Sequence, residues 1–120
     1  MAKILVVDDS KMSRKMLCSI LEGMGHDIVG EASDGKEGLK LYQELKPDVV
    51  TMDVTMPEMD GIKSLKEIMK FDPAAKVVMI TAAGQSSKLV EALKEGAKEF
   101  ICKPYEPEQI INAFVEVLKK

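Results

Sequence analysis

Five side chains that could do chemistry stand at the ends of short apolar runs. Asp8 and Asp9 follow Ile4-Leu5-Val6-Val7, and Asp53 follows Val49-Val50-Thr51-Met52. Thr81 follows Val77-Val78-Met79-Ile80, and Lys103 follows Phe100-Ile101-Cys102. Three carboxylates brought together raise one another's pKa unless a cation neutralises them. Hard oxygen donors, few in number and open to water, favour Mg²⁺ over zinc or iron. The hydroxyl and the ammonium are donors suited to an anionic oxygen. This set meets the needs of phosphoryl transfer, which is mostly positioning and neutralisation of three equatorial oxygens. One oxygen could meet Mg²⁺, one Lys103 and one Thr81. A carboxylate can itself be the nucleophile and form an acyl phosphate. Asp53 is the candidate, because the adjacent Asp8 and Asp9 are better placed as a paired metal seat. Each acid alone reads as a solvated turn residue or helix cap; the inference rests on all five meeting.

They meet only if the elements between them bring them to one edge. The runs named above, with Ile28-Val29, read as five strands, three of them almost continuously apolar, as strands covered on both faces should be. Between them lie stretches of helical period. Met12, Met16, Ile20 and Met24 repeat every four residues, widened by Leu17 and Leu21. Leu41 and Leu45 mark a second helix, Ile62, Leu65 and Met69 a third, Leu89 and Leu93 a fourth, and Ile110, Ile111, Phe114 and Leu118 a fifth. Ser10 and Asp60 are placed as N-caps, Gly25 and Gly96 follow helices, and Pro47 stops the second. Five β–α units predict an α/β fold with a parallel sheet and right-handed crossovers. Ligands of such sheets bind outside the carboxyl ends of the strands, where the five side chains stand.

The whole chain, 120 residues, suits one domain (1–120) with one core. Hydrophobic residues make up 46% and charged residues 31%, a globular balance. The first apolar run is too short for a signal peptide or a membrane span. Cys18 and Cys102 lie far apart without metal-ligand spacing, which points to a reduced, cytoplasmic setting. A net charge of −3 and a pI near 5.2 argue against a nucleic-acid binder. The expected partner is a protein or a small molecule.

The motifs resemble the receiver domain of bacterial response regulators, over the entire chain. They are Val7-Asp8-Asp9-Ser10, Met52-Asp53-Val54-Thr55-Met56-Pro57-Glu58-Met59-Asp60-Gly61, Ile80-Thr81-Ala82 and Phe100-Ile101-Cys102-Lys103-Pro104. A double Asp or a lone Lys-Pro is weak; the M-D-x-x-M-P-x-M-D-G run in register with the others is specific. The resemblance implies a five-stranded parallel sheet of order 2-1-3-4-5 with five helices on both faces. Receiver domains are themselves among the examples of the carboxyl-edge rule, so the two expectations are not independent. It further implies that Asp53 is the phosphoacceptor for a histidine kinase. Asp9 would bind Mg²⁺ directly, Asp8 partly through water, and the Thr55 main-chain carbonyl would complete the protein's share of ligands. Thr81 would hydrogen-bond the phosphoryl group, and Lys103 would pair with it. Phe100 matches the aromatic switch position, which turns inward as Thr81 moves and so alters a target-binding face on the fourth helix, fifth strand and fifth helix. The Lys103-Pro104 bond would be cis.

The sequence departs from common members in having Ala83, with no polar atom to position a water, and Phe100 where Tyr is usual. A monomeric stand-alone receiver is expected, with no membrane or nucleic-acid partner and a flagellar switch or a phosphotransfer protein downstream. It would be a phosphoryl acceptor with at most slow autodephosphorylation. The other readings are a phosphorelay intermediate, a receiver cut from a DNA-binding regulator, and a Mg²⁺-dependent aspartyl phosphatase. The phosphatase would want D-x-D after the first strand and a cap domain. A flavin module is weaker, because Asp8 and Asp9 would repel a phosphate. Among the remaining residues, the nine methionines read as core filler, His26 as a turn residue and Cys102 as a small buried strand residue. Gly61 reads as a helix start, with a close loop approach as the lesser reading. Lys88, Lys94 and Lys98, around the fourth helix, read either as a solvated face or as part of the expected output surface.

Overall fold

Strands and helices alternate without exception along the chain. The computed structural model describes residues 2–54, 56, 59–82 and 86–119. The elements are β1 (Lys3–Val7), α1 (Lys11–Gly23), β2 (Asp27–Ala32), α2 (Gly35–Leu45), β3 (Val49–Asp53), α3 (Gly61–Phe71), β4 (Val77–Ala82), α4 (Ser86–Lys94), β5 (Glu99–Lys103) and α5 (Pro107–Lys119). The strands form one parallel sheet of order β2-β1-β3-β4-β5, as expected. Its central strands are apolar on both faces because both faces are covered. Leu5 and Val7 of β1, Val50 and Met52 of β3, and Val77 and Met79 of β4 pack towards α2 and α3 with Tyr42, Ile62, Leu65 and Ile68. The alternate residues Ile4, Val6, Val49, Val78 and Ile80 pack towards α1 and α5 with Leu17, Leu21, Ile110, Phe114 and Val117. Each large apolar side chain fully removed from water contributes roughly 1.5–3 kcal/mol before entropy is counted.

Local signals place the ends of the helices. Ser10, Asp34 and Asp60 are N-caps whose side chains accept from the amides of Ser13, Glu37 and Lys63. Gly25 (φ 91°) and Gly96 (φ 111°) turn the chain after α1 and α4 in the left-handed region that favours glycine. Before Pro47, Lys46 takes the same role at the end of α2 with φ 46°. The Lys103-Pro104 peptide is cis, as the resemblance implied.

Several packing expectations are corrected. Only part of the α1 stripe faces the core: Leu17 and Leu21 are buried and Ile20 and Met24 pack against it, but Met12 is 75% and Met16 58% exposed, and Cys18 is buried as well. Of the methionines, Met52, Met56 and Met79 are buried. Leu45 and Leu93 stay exposed, while Tyr42 and Ala92 anchor α2 and α4. Tyr42 stacks edge-on to Phe71 and donates to Asp72 Oδ2 (2.8 Å) at the end of α3. His26 directly follows the turn at Met24 and Gly25 and is buried there: its Nδ1 accepts from the Ala2 amide (3.2 Å) and its ring meets Phe114. Cys102 is exposed, because β5 is an edge strand and only Ile101 among its residues is buried.

Candidate functional site

Register, rather than any local motif, assembles the site. Val7 pairs with Met52, so Asp8 leaves β1 beside Asp53 at the end of β3. Asp53 pairs with Ile80, which sets Thr81 one step further along β4, and Ala82 pairs with Lys103. Asp8, Asp53 and Thr81 are all nearly inaccessible, whereas Asp9 is exposed. The Asp8 amide donates to the Ala32 carbonyl (3.0 Å), and its Oδ1 accepts from the Ser10 amide (2.8 Å). Lys103 Nζ donates to Oδ2 of both Asp8 and Asp53, 3.3 Å in each case. The Thr81 hydroxyl donates to the Ala82 carbonyl (3.2 Å). Carboxylate oxygens of Asp8, Asp9 and Asp53 lie within 4.8 Å of one another. Thr55 and Ala83, the other two positions singled out in the sequence, lie outside the described residues.

The electrostatics of this cluster are strained without a cation. Burial pushes the Asp53 carboxyl up, to about 7, and the hydrogen bond and charge of Asp8 add to this, with Lys103 opposing only in part. Burial acts in the same sense on Asp8. There, hydrogen bonds from Asp53, Ser13 and the Ser10 amide, with the Lys103 charge, outweigh it and hold the carboxyl below its usual value. Burial works against the Lys103 charge, but the two carboxylates more than compensate and raise its pKa.

The residues fit a hard divalent cation. All the donors are carboxylate oxygens, and Asp53 Oδ1 is buried without a hydrogen-bond partner among the described residues. Such an orphaned oxygen is costly unless a ligand meets it.

Two further residues build the site. Gly61 starts α3, and its amide donates to the Val54 carbonyl (2.8 Å). A Cβ at Gly61 would stand 1.8 Å from the Asp53 carbonyl oxygen. The close approach under the site, the lesser reading from sequence, is therefore what the position requires. Arg14 was not singled out from sequence, yet its Nη1 donates to the Asp8 main-chain carbonyl. The one available signal was a cation in the first turn of a helix with no acid there, where the helix dipole disfavours it.

A carboxyl-edge site of this kind, on this strand order, belongs to a known class of signalling module. The response regulator receiver domain family matches residues 4–115, and the chain belongs to that family. It is a CheY-like receiver domain of the two-component response regulators. It is 49% identical to chemotaxis protein CheY of Thermotoga maritima over 117 residues, covering 98% of each chain. With CheY of Listeria monocytogenes it shares 45% over 119 residues, covering 99% of this chain and all of the relative. Among solved structures, a chain of the CheX–CheY–BeF3–Mg²⁺ complex from Borrelia burgdorferi superposes with a TM-score of 0.94 at 39% identity. That match covers 98% of this chain and 90% of the other. No helix among the described residues is long and apolar enough to cross a membrane.

Proposed function

We propose that the protein is a phosphorylation-controlled switch that takes a phosphoryl group on Asp53 from a histidine kinase. The observation that carries this reading is the Lys103 ammonium held 3.3 Å from both Asp8 and Asp53, beside a cluster of three carboxylates. An Asp53 oxygen attacks phosphorus, the P–N bond of the phosphohistidine breaks as the O–P bond forms, and the leaving imidazole keeps a proton. Lys103 is placed to follow the charge from carboxylate to phosphoryl oxygen, and the Thr81 hydroxyl to turn from Ala82 to a second oxygen. Asp8, Asp9 and Asp53 would hold Mg²⁺, with the Thr55 carbonyl as the further ligand implied by the family. When bound, the ion would neutralise the carboxylates and a phosphoryl oxygen. The chain then acts as a phosphoryl acceptor with at most slow autodephosphorylation, not as an enzyme with a separate substrate.

The output reading rests on surface apolarity. Val90 and Leu93 of α4, Phe100 of β5, and Ile111 and Val115 of α5 remain exposed. Apolar side chains left open on three consecutive elements suit a protein partner. Thr81 and Phe100 would link that face to the phosphoryl group. Similarity to CheY proteins favours chemotaxis, with a flagellar switch as the target, in the cytoplasm.

The test is incubation with Mg²⁺ and acetyl phosphate, read as intact mass. A gain of one phosphoryl group, lost in Asp53→Asn or in EDTA, is expected. An unchanged mass with intact donor refutes the proposal, and rapid turnover of unrelated phosphoesters would favour a phosphatase. Capture of a flagellar switch protein by the phosphorylated form alone would then separate chemotaxis from a phosphorelay.

A further inference from the structure

Arg14 occupies a place that is unfavourable for a cation unless something holds it there. It lies near the N-terminus of α1, yet its side chain is only 16% exposed. Its Nη1 donates to the Asp8 main-chain carbonyl (2.5 Å), and its Nε lies 3.3 Å from Glu31 Oε1 on β2. The guanidinium is a rigid planar fork, so the two acceptors fix its orientation. The Asp8 carbonyl belongs to the peptide that leads into Asp9. Asp8 itself is held from its other side, through its amide and its carboxylate. No hydrogen bond among the described residues holds the Asp9 carboxylate. Arg14 thus bonds the carbonyl of the peptide that carries the chain into Asp9, the residue from which the exposed carboxylate projects.

We propose that Arg14 is a positioning residue for a divalent cation. Clipped to Glu31, it locks the Asp8–Asp9 peptide so that the exposed Asp9 carboxylate converges on the point that Asp8 and Asp53 face. This rests on the reading of those three aspartates as a metal seat. Positioning and charge make opposite demands on the side chain. A guanidinium bonded to the Asp8 carbonyl is a cation near the seat and repels a divalent ion, so by charge alone its removal would tighten Mg²⁺ binding. If it acts by positioning, its removal weakens Mg²⁺ binding in spite of the relieved repulsion. Lysine keeps the charge but carries all its donors on one nitrogen, without the planar fork whose separate Nη1 and Nε reach the two acceptors here.

Isothermal titration of Mg²⁺ into the metal-free protein separates these. The Mg²⁺ Kd is expected to rise about tenfold in Arg14→Ala and about as much in Arg14→Lys, the low end of what loss of a ligand-orienting partner costs. Glu31→Gln, an isosteric change at a half-exposed side chain, is expected to raise it about threefold by loosening the clip. It also keeps the question decidable should an Arg14 variant fail to fold. Thermal melts in EDTA identify folded variants, and a role confined to stability would move those melts but not Kd. Binding to Arg14→Ala as tight as to the wild type, or tighter, overturns the proposal, as does full recovery in Arg14→Lys. A wild type that binds no Mg²⁺ overturns the metal-seat reading itself, a result distinct from intact binding that the variants leave unchanged.

Discussion

Replacing Asp53 by Asn should stabilise the metal-free protein, and the gain should depend on pH. In the folded chain burial and the neighbouring Asp8 hold the Asp53 carboxyl at about 7, against 3.8 for an unperturbed Asp. The sign follows from proton uptake. Between those two values the folded state binds a proton that the unfolded state does not, so stability falls as pH rises, and the loss is complete above about pH 7. A separation of roughly three units at about 1.4 kcal/mol each gives an upper bound near 4 kcal/mol. Lys103 loses one of its two carboxylate partners in the variant, which reduces the net gain to about 1–3 kcal/mol. For a domain of this size that corresponds to a rise in Tm of roughly 4–12 °C. The assay is thermal unfolding in EDTA from pH 4.5 to 8. The two proteins should melt close together at the acid end, with the Asp53→Asn variant higher at pH 8. Excess Mg²⁺ should narrow the gap by raising the wild type, since a ligand bound only by the folded state stabilises it. A variant that melts at or below the wild type in EDTA at pH 8, or a gap that is the same at both ends of the range, would refute the reasoning.

Gly61→Ala should be among the most damaging single-methyl changes in the chain, because the new Cβ would stand 1.8 Å from the Asp53 carbonyl oxygen and backbone must move. A loss of roughly 3 kcal/mol in urea unfolding, with weaker Mg²⁺ binding, is expected; a near-neutral variant would show that the approach is not rigid. Thr51→Val should go the other way, since the buried Thr51 hydroxyl on β3 has no hydrogen-bond partner among the described residues. A gain of about 1 kcal/mol at unchanged m-value is expected, and a destabilised variant would mean that the hydroxyl is satisfied after all.

Where sequence and structure agree, the cause is local or strongly patterned. Val49 to Met52 reads as a strand because a continuous apolar run suits only a position covered on both faces. Ser10 and Asp60 read as caps because a short acceptor side chain reaches amides two or three residues on. Where they part, the cause is direction. The spacing of Met12 and Met16 is helical, and α1 is a helix, but periodicity does not say which stripe turns inward. Packing against β1, β2 and α5 selected the Leu17 and Leu21 edge of that stripe, with Cys18, and left Met12 and Met16 outside. Cys102 has the composition of a buried strand residue, yet strand order placed β5 at the edge. Arg14 carries no motif, and its role depends on Asp8 and Glu31 arriving from two other elements.

By itself, the sequence determined the β–α alternation, the helix caps and the identity of the five side chains that could act on a phosphoryl group, because these depend on residue type and near-neighbour spacing. The tertiary structure alone decided how those side chains stand to one another. Parallel register sets Asp8 beside Asp53 and leads Lys103 to both. Burial in that arrangement lifts one aspartate, while hydrogen bonds and the Lys103 charge lower the other. Both effects arise between residues up to 95 positions apart along the chain, at distances that no local pattern encodes.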